Sequence, residues 1–154
     1  MAICRFKVTL FLWVCLVLPS ILAKPIRYCD KKGHYDVKVK GVVMNPDPVV
    51  SGEKAEFKIS ASSGKSISGG KVSINVYFLG IFVHSEKIDL CKETPCPVGP
   101  GDFVLSHFQT LPGITPAGSY SLKMSIADDD NHLLTCIRFN FKIVRGARAS
   151  VSEI

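Results

Sequence analysis

Seven segments of the sequence have the pattern of β-strands, and most of them alternate apolar and polar residues with a period of two. The pattern is clearest over residues 54–61, where Ala55, Phe57 and Ile59 alternate with lysine, glutamate and serine. Because successive side chains of a strand point to opposite faces, each segment predicts a strand with one buried face. The segments are 35–40, 54–61, 71–78, 81–90, 102–111, 120–127 and 134–143. No amphipathic helix interrupts them, so the sequence predicts an all-β fold of two packed antiparallel sheets with about seven strands.

The first 23 residues have the pattern of a secretory signal peptide. Arg5 and Lys7 precede an apolar run over residues 8–18, and Ala23 ends a plausible cleavage region. The run is too short for a typical transmembrane helix, although an uncleaved anchor is the alternative. The predicted division is 1–23 for the signal peptide, 24–145 for one folded domain and 146–154 for a flexible tail. The chain is therefore expected in the secretory pathway, with its destination outside the cell or in a vacuole left open.

Four cysteines follow the signal segment: Cys29, Cys91, Cys96 and Cys136. An even number in a secreted chain predicts two disulfides, and four cysteines allow three pairings. Proximity favours Cys91 with Cys96, which leaves Cys29 with Cys136. A zinc site is the alternative, but no histidine has suitable spacing. Cys136 has the opposite parity to Phe139 and Phe141, so either a bulge near Ile137 shifts the register or the long disulfide lies on the outer face.

The stretch from residue 91 to residue 101 joins two predicted strands. It contains three prolines and two glycines in addition to Cys91 and Cys96. Proline lacks the donor that a ladder or helix needs, and glycine disfavours regular structure, so we expect neither helix nor central strand here. A disulfide would make this stretch a closed corner between strands.

The charge of the chain is moderately basic. Loss of Arg5 and Lys7 with the signal peptide leaves 17 basic and 13 acidic residues, a net charge of +4. A solvated basic surface explains this excess, and weak attraction to anionic membranes is the functional alternative. No basic motif interleaved with aromatic residues is present, so nucleic acid is not an expected partner.

No motif in the sequence indicates catalysis or a cofactor. The four histidines are scattered, and no serine or cysteine lies in a Gly-x-Ser-x-Gly context. The acidic stretch 128–131 lacks the spaced oxygen ligands of a calcium loop and predicts a hairpin turn. We therefore expect a protein without enzymatic activity, bound metal or cofactor.

The segment from Leu111 to Gly118 is apolar but cannot be regular. Two prolines and two glycines interrupt it, and apolar surface loops often mark contact sites. A sandwich whose sheets separate at one end would hold an apolar ligand between them. Burying about 400 Å² of ligand surface is worth about 10 kcal/mol before the costs of association, which is enough for micromolar binding.

The order of these features resembles the MD-2-related lipid-recognition (ML) family. It is most similar to the Niemann-Pick C2-type and the phosphatidylglycerol/phosphatidylinositol transfer proteins, especially plant members, over the whole mature chain. The features are the signal peptide, Cys29, the 45–48 proline break, the Cys91–Cys96 corner followed by Pro97, the 128–131 turn and Cys136. The resemblance implies an immunoglobulin-like sandwich with a lipid between its sheets, and the pairings Cys29 with Cys136 and Cys91 with Cys96.

The resemblance also implies positions for a lipid site. Pocket-mouth positions fall near Phe82, Val83, Ile114, Thr115 and Pro116, and interior positions at Phe78, Phe108, Leu111, Leu122 and Met124, where core packing is the alternative. Two departures leave sterol and phospholipid both open. Asp47 and Val49 lie where Niemann-Pick C2-type proteins carry a further short disulfide, and Thr115 replaces an expected aromatic residue.

The function predicted from the sequence is that of a secreted, monomeric lipid carrier. It would hold a sterol or a phospholipid, such as phosphatidylglycerol or phosphatidylinositol, and move it between membranes by transient contact with their surfaces. The alternative is an extracellular recognition or adaptor module that binds a protein partner in response to lipid.

Overall fold

A computed structural model describes residues 23–147. Residues 1–22 of the predicted signal peptide (1–23) and residues 148–154 of the predicted tail (146–154) lie outside the described residues. Within 23–147, no helix has the length and apolar character needed to cross a membrane.

Nine strands form two sheets that pack face to face. They are β1 (Ile26–Tyr28), β2 (Val37–Asn45), β3 (Val49–Val50), β4 (Lys54–Ser63), β5 (Gly70–Phe78), β6 (Ile81–Asp89), β7 (Gly101–Thr110), β8 (Gly118–Asp128) and β9 (Leu133–Val144). The larger sheet has the order β1-β9-β8-β5-β6, and the smaller has the order β2-β4-β7. All pairs are antiparallel except β3 with β9. The predicted sandwich is confirmed, and its seven strands correspond to β2 and β4 to β9.

The two additional strands are too short to show alternation in the sequence. β1 pairs with β9 through the register Ile26 to Phe139, and β3 pairs with the far end of β9. Both add backbone hydrogen bonds along β9, which is thereby covered on its outer edge. They do not change the topology that the longer segments predict.

One helical turn, α1 (Leu90–Glu93), begins the corner between β6 and β7. The Asp89 side chain accepts a hydrogen bond from the backbone N–H of Cys91 at 2.8 Å and caps this turn. The expectation of no helix between residues 91 and 101 was therefore wrong at its start. The first proline, Pro95, comes after the turn has ended at Glu93, so the prolines do not oppose it.

Both predicted disulfides are confirmed. Cys29 bonds to Cys136 and Cys91 bonds to Cys96, with Cα separations of 5.4 and 5.3 Å. Cys136 lies opposite Ser125, whereas the neighbouring pair of Met124 and Ile137 is buried in the core. The long disulfide therefore lies on the outer face of the larger sheet. The bulge in β9 is further toward its start, between residues 133 and 135.

The edge strands β6, of the larger sheet, and β7, of the smaller sheet, lie next to each other on one side of the sandwich. Each is the last strand of its sheet, and no backbone pairing joins the two in the described part of the chain. Most residues of β6 are exposed, unlike those of β5 and β8 beside it. This side is consequently closed by side chains alone.

Candidate functional site

A cavity of about 530 Å³ lies between the two sheets. This volume is within the range of about 300 to 1,000 Å³ that is usual for small-molecule sites. Apolar and aromatic side chains from both sheets form most of its wall: Phe57, Ile59, Ile74, Val76, Phe78, Val83, Leu111, Pro112, Ile114, Pro116, Tyr120, Leu122, Met124, Phe139, Phe141 and Ile143. The cavity can accept an apolar group of moderate size.

A row of aromatic rings crosses the cavity from one sheet to the other. Phe78 packs on Tyr120 with ring centroids 4.7 Å apart, and Tyr120 stacks on Phe141 at 5.6 Å. Phe141 in turn meets Phe57 of the smaller sheet edge to face at 5.9 Å. Rings of this size keep the sheets apart at this end, while mostly aliphatic residues fill the rest of the core.

The loop between β7 and β8 forms one side of the cavity mouth. Thr115 turns back on Pro112, because both its backbone N–H and its hydroxyl donate to the Pro112 carbonyl, at 3.0 and 2.7 Å. The Tyr120 hydroxyl donates to the Pro116 carbonyl at 2.8 Å, and burial raises the pKa of this phenol. These bonds fix the loop, and Ile114 projects from it with 93% of its surface exposed.

The hairpin between β5 and β6 lies close to the mouth, since Phe78 and Val83 on either side of its turn both line the cavity. Its two turn residues, Leu79 and Gly80, have φ angles of 49° and 84°. The left-handed region suits glycine but is uncommon for leucine. Leu79 is 72% exposed, and Ile81, Phe82 and Val83 after it are also exposed. The hairpin therefore presents a run of apolar side chains to solvent.

Eight of the ten residues predicted for the site line the cavity: Phe78, Val83, Leu111, Ile114, Thr115, Pro116, Leu122 and Met124. The structure places the other two, Phe82 and Phe108, outside it. A bulge at Val83 in β6 sets Phe82 opposite Tyr77, where the rings pack at 5.9 Å. Phe108 is 52% exposed with the Lys54 ammonium 4.5 Å above its ring.

Strand parity would have corrected the assignment in β7. Leu105 is buried in the core, so residues 103, 107 and 109 share its inward face and Phe108 does not. His107 and Gln109 indeed line the cavity. Sequence reasoning passed over them because polar residues do not predict an apolar site.

Four ionisable side chains join β6, α1 and β7 along the open edge, and we call His84, Glu86, Glu93 and His107 the polar seam. His107 Nδ1 lies 3.2 Å from Glu93 Oε2, and His107 Nε2 lies 3.9 Å from Glu86 Oε2. His84 Nε2 is 4.0 Å from the same Glu86 oxygen. His84, Glu86 and His107 line the cavity, so the acidic and histidine side chains of its wall lie along this edge.

The acidic stretch after β8 forms the predicted hairpin turn. Asp128 accepts hydrogen bonds from the backbone N–H groups of Asp130 and His132 at 3.0 and 2.9 Å. Donation by His132, with smaller contributions from Asp130 and from the charge of Lys65, holds the pKa of the Asp128 carboxyl below its ordinary value. The carboxylate is thus used to close the turn.

Comparison with known proteins identifies the architecture around the cavity. The family model of the ML domain matches residues 23–143. The chain belongs to the ML-domain family. It is 35% identical over 164 residues to the MD-2-related lipid-recognition protein ROSY1 of Arabidopsis thaliana, covering 100% of this chain and 99% of that protein.

Other relatives of the ML-domain protein agree with this assignment. It is 28% identical over 120 residues to a phosphatidylglycerol/phosphatidylinositol transfer protein of Aspergillus oryzae, covering 74% of this chain and 69% of the relative. A Niemann-Pick type C2 protein from the Japanese carpenter ant has the same fold, with a TM-score of 0.63 at 15% identity over 78% of this chain and 99% of the other. Chicken MD-1, solved with lipid IVa, has a TM-score of 0.52 at 18% identity, covering 76% and 86%. The family resemblance inferred from the cysteines and turns is confirmed, and its lipid-binding and transfer members are not enzymes.

Proposed function

We propose that this ML-domain protein is a secreted lipid carrier that takes a sterol or phospholipid from one membrane and releases it at another. The observation that carries the proposal is the aromatic-lined cavity of about 530 Å³ between the sheets. A folded core of close-packed side chains leaves few spaces larger than a water molecule, so a space of this size at one end of a small domain indicates a ligand site.

The relatives support a lipid as the ligand. ROSY1 is named as a lipid-recognition protein, and the relative from Aspergillus oryzae is named as a phospholipid transfer protein. The eight cavity residues that the family resemblance predicted, together with Phe57, Tyr120 and Phe141, would contact the apolar part of the lipid. Transfer between membranes and delivery outside the cell or to a vacuole belong to this proposal.

The apolar hairpin gives the mouth a means of touching a membrane. Leu79, Ile81 and Phe82 project beside the opening, and Ile114 projects from the loop that also lines it. Shielding such side chains in the interfacial region of a bilayer is favourable, and weak attraction of the net positive chain to anionic lipids would add to it. The mouth would then face the membrane while a lipid enters or leaves.

The first test is native mass spectrometry of the secreted protein, followed by organic extraction and identification of the released molecule. We expect one lipid per chain, and we expect lipid-free protein to acquire one on incubation with liposomes of mixed composition. Protein that remains empty in both conditions would contradict the carrier function.

The exposed hairpin also favours a second candidate, a recognition module that binds a protein partner. Ile81 and Phe82 are apolar and exposed without lining the cavity, so a protein surface could cover them. A Phe82→Ser substitution separates the two functions. If the protein is a recognition module, the substitution should abolish the complex with the partner. Lipid binding at one molecule per chain should be retained, because Phe82 does not line the cavity.

A further inference from the structure

We propose that the polar seam is a subsite for the hydroxyl group of a neutral amphiphile, and that it excludes anionic headgroups from this part of the cavity. The proposal rests on the carrier function and specifies the class of lipid that is carried. It favours a sterol with a free hydroxyl over a phospholipid with an anionic headgroup. The seam is the one part of the cavity wall, among the described residues, where ionisable side chains meet.

The seam runs along the open edge of the sandwich, from His84, which follows Val83 near the mouth, to His107 and Glu93 further along the edge. His107 precedes Leu111, the first residue of the mouth loop, by four positions, which corresponds to about 13 Å along a strand. The His107 side chain is only 14% exposed and that of Glu93 is 12% exposed. The Glu86 and His84 side chains are more open, with 38% and 58% of their surface exposed. A polar group bound there would lie at a partly open edge, while its apolar body occupied the aromatic part of the cavity.

The hydrogen-bonding roles follow from the contact between His107 and Glu93. A carboxylate only accepts, so the Nδ1 of His107 donates the hydrogen bond at 3.2 Å. Glu86 Oε2, which lies 3.9 Å from His107 Nε2, is then the carboxylate acceptor on the cavity wall.

Neither contact of Glu86 with the histidines is a direct hydrogen bond. The separations of 3.9 Å to His107 and 4.0 Å to His84 both exceed the usual limit of about 3.2 Å. A ligand hydroxyl beside Glu86 can donate a hydrogen bond to its carboxylate. The same hydroxyl can accept a hydrogen bond from the His84 ring or from the Gln109 amide, which also line the cavity. One hydroxyl group therefore matches the donors and acceptors available.

An anionic headgroup does not match them. Two carboxylates, Glu86 and Glu93, lie in the seam, and no lysine or arginine lines the cavity within residues 23–147. A phosphate or sulfate placed there would be partly desolvated beside like charges, with no lysine or arginine in the wall to balance it. A neutral hydroxyl avoids both costs.

The test measures binding of three sterols that differ at one position: cholesterol, cholesteryl methyl ether and cholesteryl sulfate. Each is titrated into lipid-free protein in competition with a fluorescent sterol. We expect cholesterol to bind about tenfold more tightly than the methyl ether, because a hydrogen bond to a charged group is lost, and we expect the sulfate to be weaker still. This comparison uses the wild-type chain and does not depend on any variant folding.

The Glu86→Met variant links the preference to the seam. Glu86 is partly exposed, so we expect the variant to fold and to bind cholesterol and its methyl ether with equal affinity. The matched control is Glu56→Met on β4, which does not line the cavity and should retain the tenfold preference.

The outcomes separate the two proposals. Tight and equal binding of all three sterols to the wild type, or preferred binding of the sulfate or of an anionic phospholipid, would overturn the subsite and leave the carrier function intact. A tenfold preference that persists in Glu86→Met would also overturn it. Failure of the wild type to bind any sterol or phospholipid would overturn both.

Discussion

Phe57 and Phe141 meet edge to face between the two sheets, with ring centroids 5.9 Å apart and planes at 84°. Phe57 belongs to the smaller sheet and Phe141 to the larger, and both line the cavity. Their contact therefore has two roles. It contributes to the packing that joins the sheets, and it sets the spacing that leaves a cavity beside them.

The first prediction concerns this contact. Phe141→Ala should lower the free energy of unfolding by about 3 kcal/mol, since it removes a buried ring and enlarges a cavity that cannot fully collapse. Phe108→Ala is the matched control, because that ring is half-exposed on the outer side of β7, and it should cost less than about 1 kcal/mol. Urea unfolding of both variants measures the difference. Equal losses would show that the Phe57 to Phe141 contact does not support the sandwich.

The second prediction concerns the mouth. Ile114→Glu should fold normally, because the side chain is almost fully exposed, but should slow lipid transfer between vesicles about tenfold by removing an apolar membrane contact. Leu133→Glu provides the control, since Leu133 is an exposed apolar residue in the turn region at the opposite end of β8 and β9. A fluorescence transfer assay with anionic vesicles compares them. Equal rates of lipid transfer for the two variants would show that Ile114 does not contribute to the membrane contact.

Period-two alternation was sufficient to predict the strands and most inward positions. Leu122 and Met124 fall on the apolar face of an alternating segment, the family resemblance places both in the interior, and both are buried beside the cavity. Alternation says which face a residue occupies and nothing about the distance between the sheets. The sequence could therefore not show that aromatic rings such as Tyr120 and Phe141 leave an opening, while Ile126 at the other end of β8 is packed shut.

The exposure of β6 and the formation of α1 depend on sheet edges and on local contacts, which the alternation of apolar and polar residues does not reveal. The exposure of β6 arises because no strand of the other sheet covers it, so Phe82 is apolar without being inside. The turn α1 forms because Asp89 caps it before the first proline, a local hydrogen bond that overrides the composition of the corner. The polar seam could not be predicted from the sequence for a similar reason. His84 and Glu86 lie two positions apart on β6, but His107 comes from β7 and lies near Glu86 only because two sheet edges face each other.

The third prediction compares the two disulfides. Cys29 and Cys136 are 107 residues apart, whereas Cys91 and Cys96 are 5 apart. In the chain-entropy model the longer loop contributes about 5 kcal/mol and the shorter about 2 kcal/mol, so the Cys29→Ser/Cys136→Ser variant should be the less stable of the two paired variants. Thermal unfolding of both, in the absence of reductant, measures the order. The reverse order would show that the corner disulfide supports more of the fold than its loop length indicates.

The last prediction concerns pH and the turn between β8 and β9. Because backbone N–H donation by His132 lowers the pKa of Asp128 in the folded state, the ionised carboxylate favours folding. This contribution is fully present above the ordinary carboxyl pKa and is lost as the pH falls through the lower, folded value. Carbon-detected NMR titration should therefore place the Asp128 pKa below 3.8, the ordinary value. Amide exchange at Asp130 and His132 should accelerate only below that midpoint. In Asp128→Ala the same amides should exchange rapidly at every pH, and slow exchange in that variant would show that the carboxylate does not hold the turn.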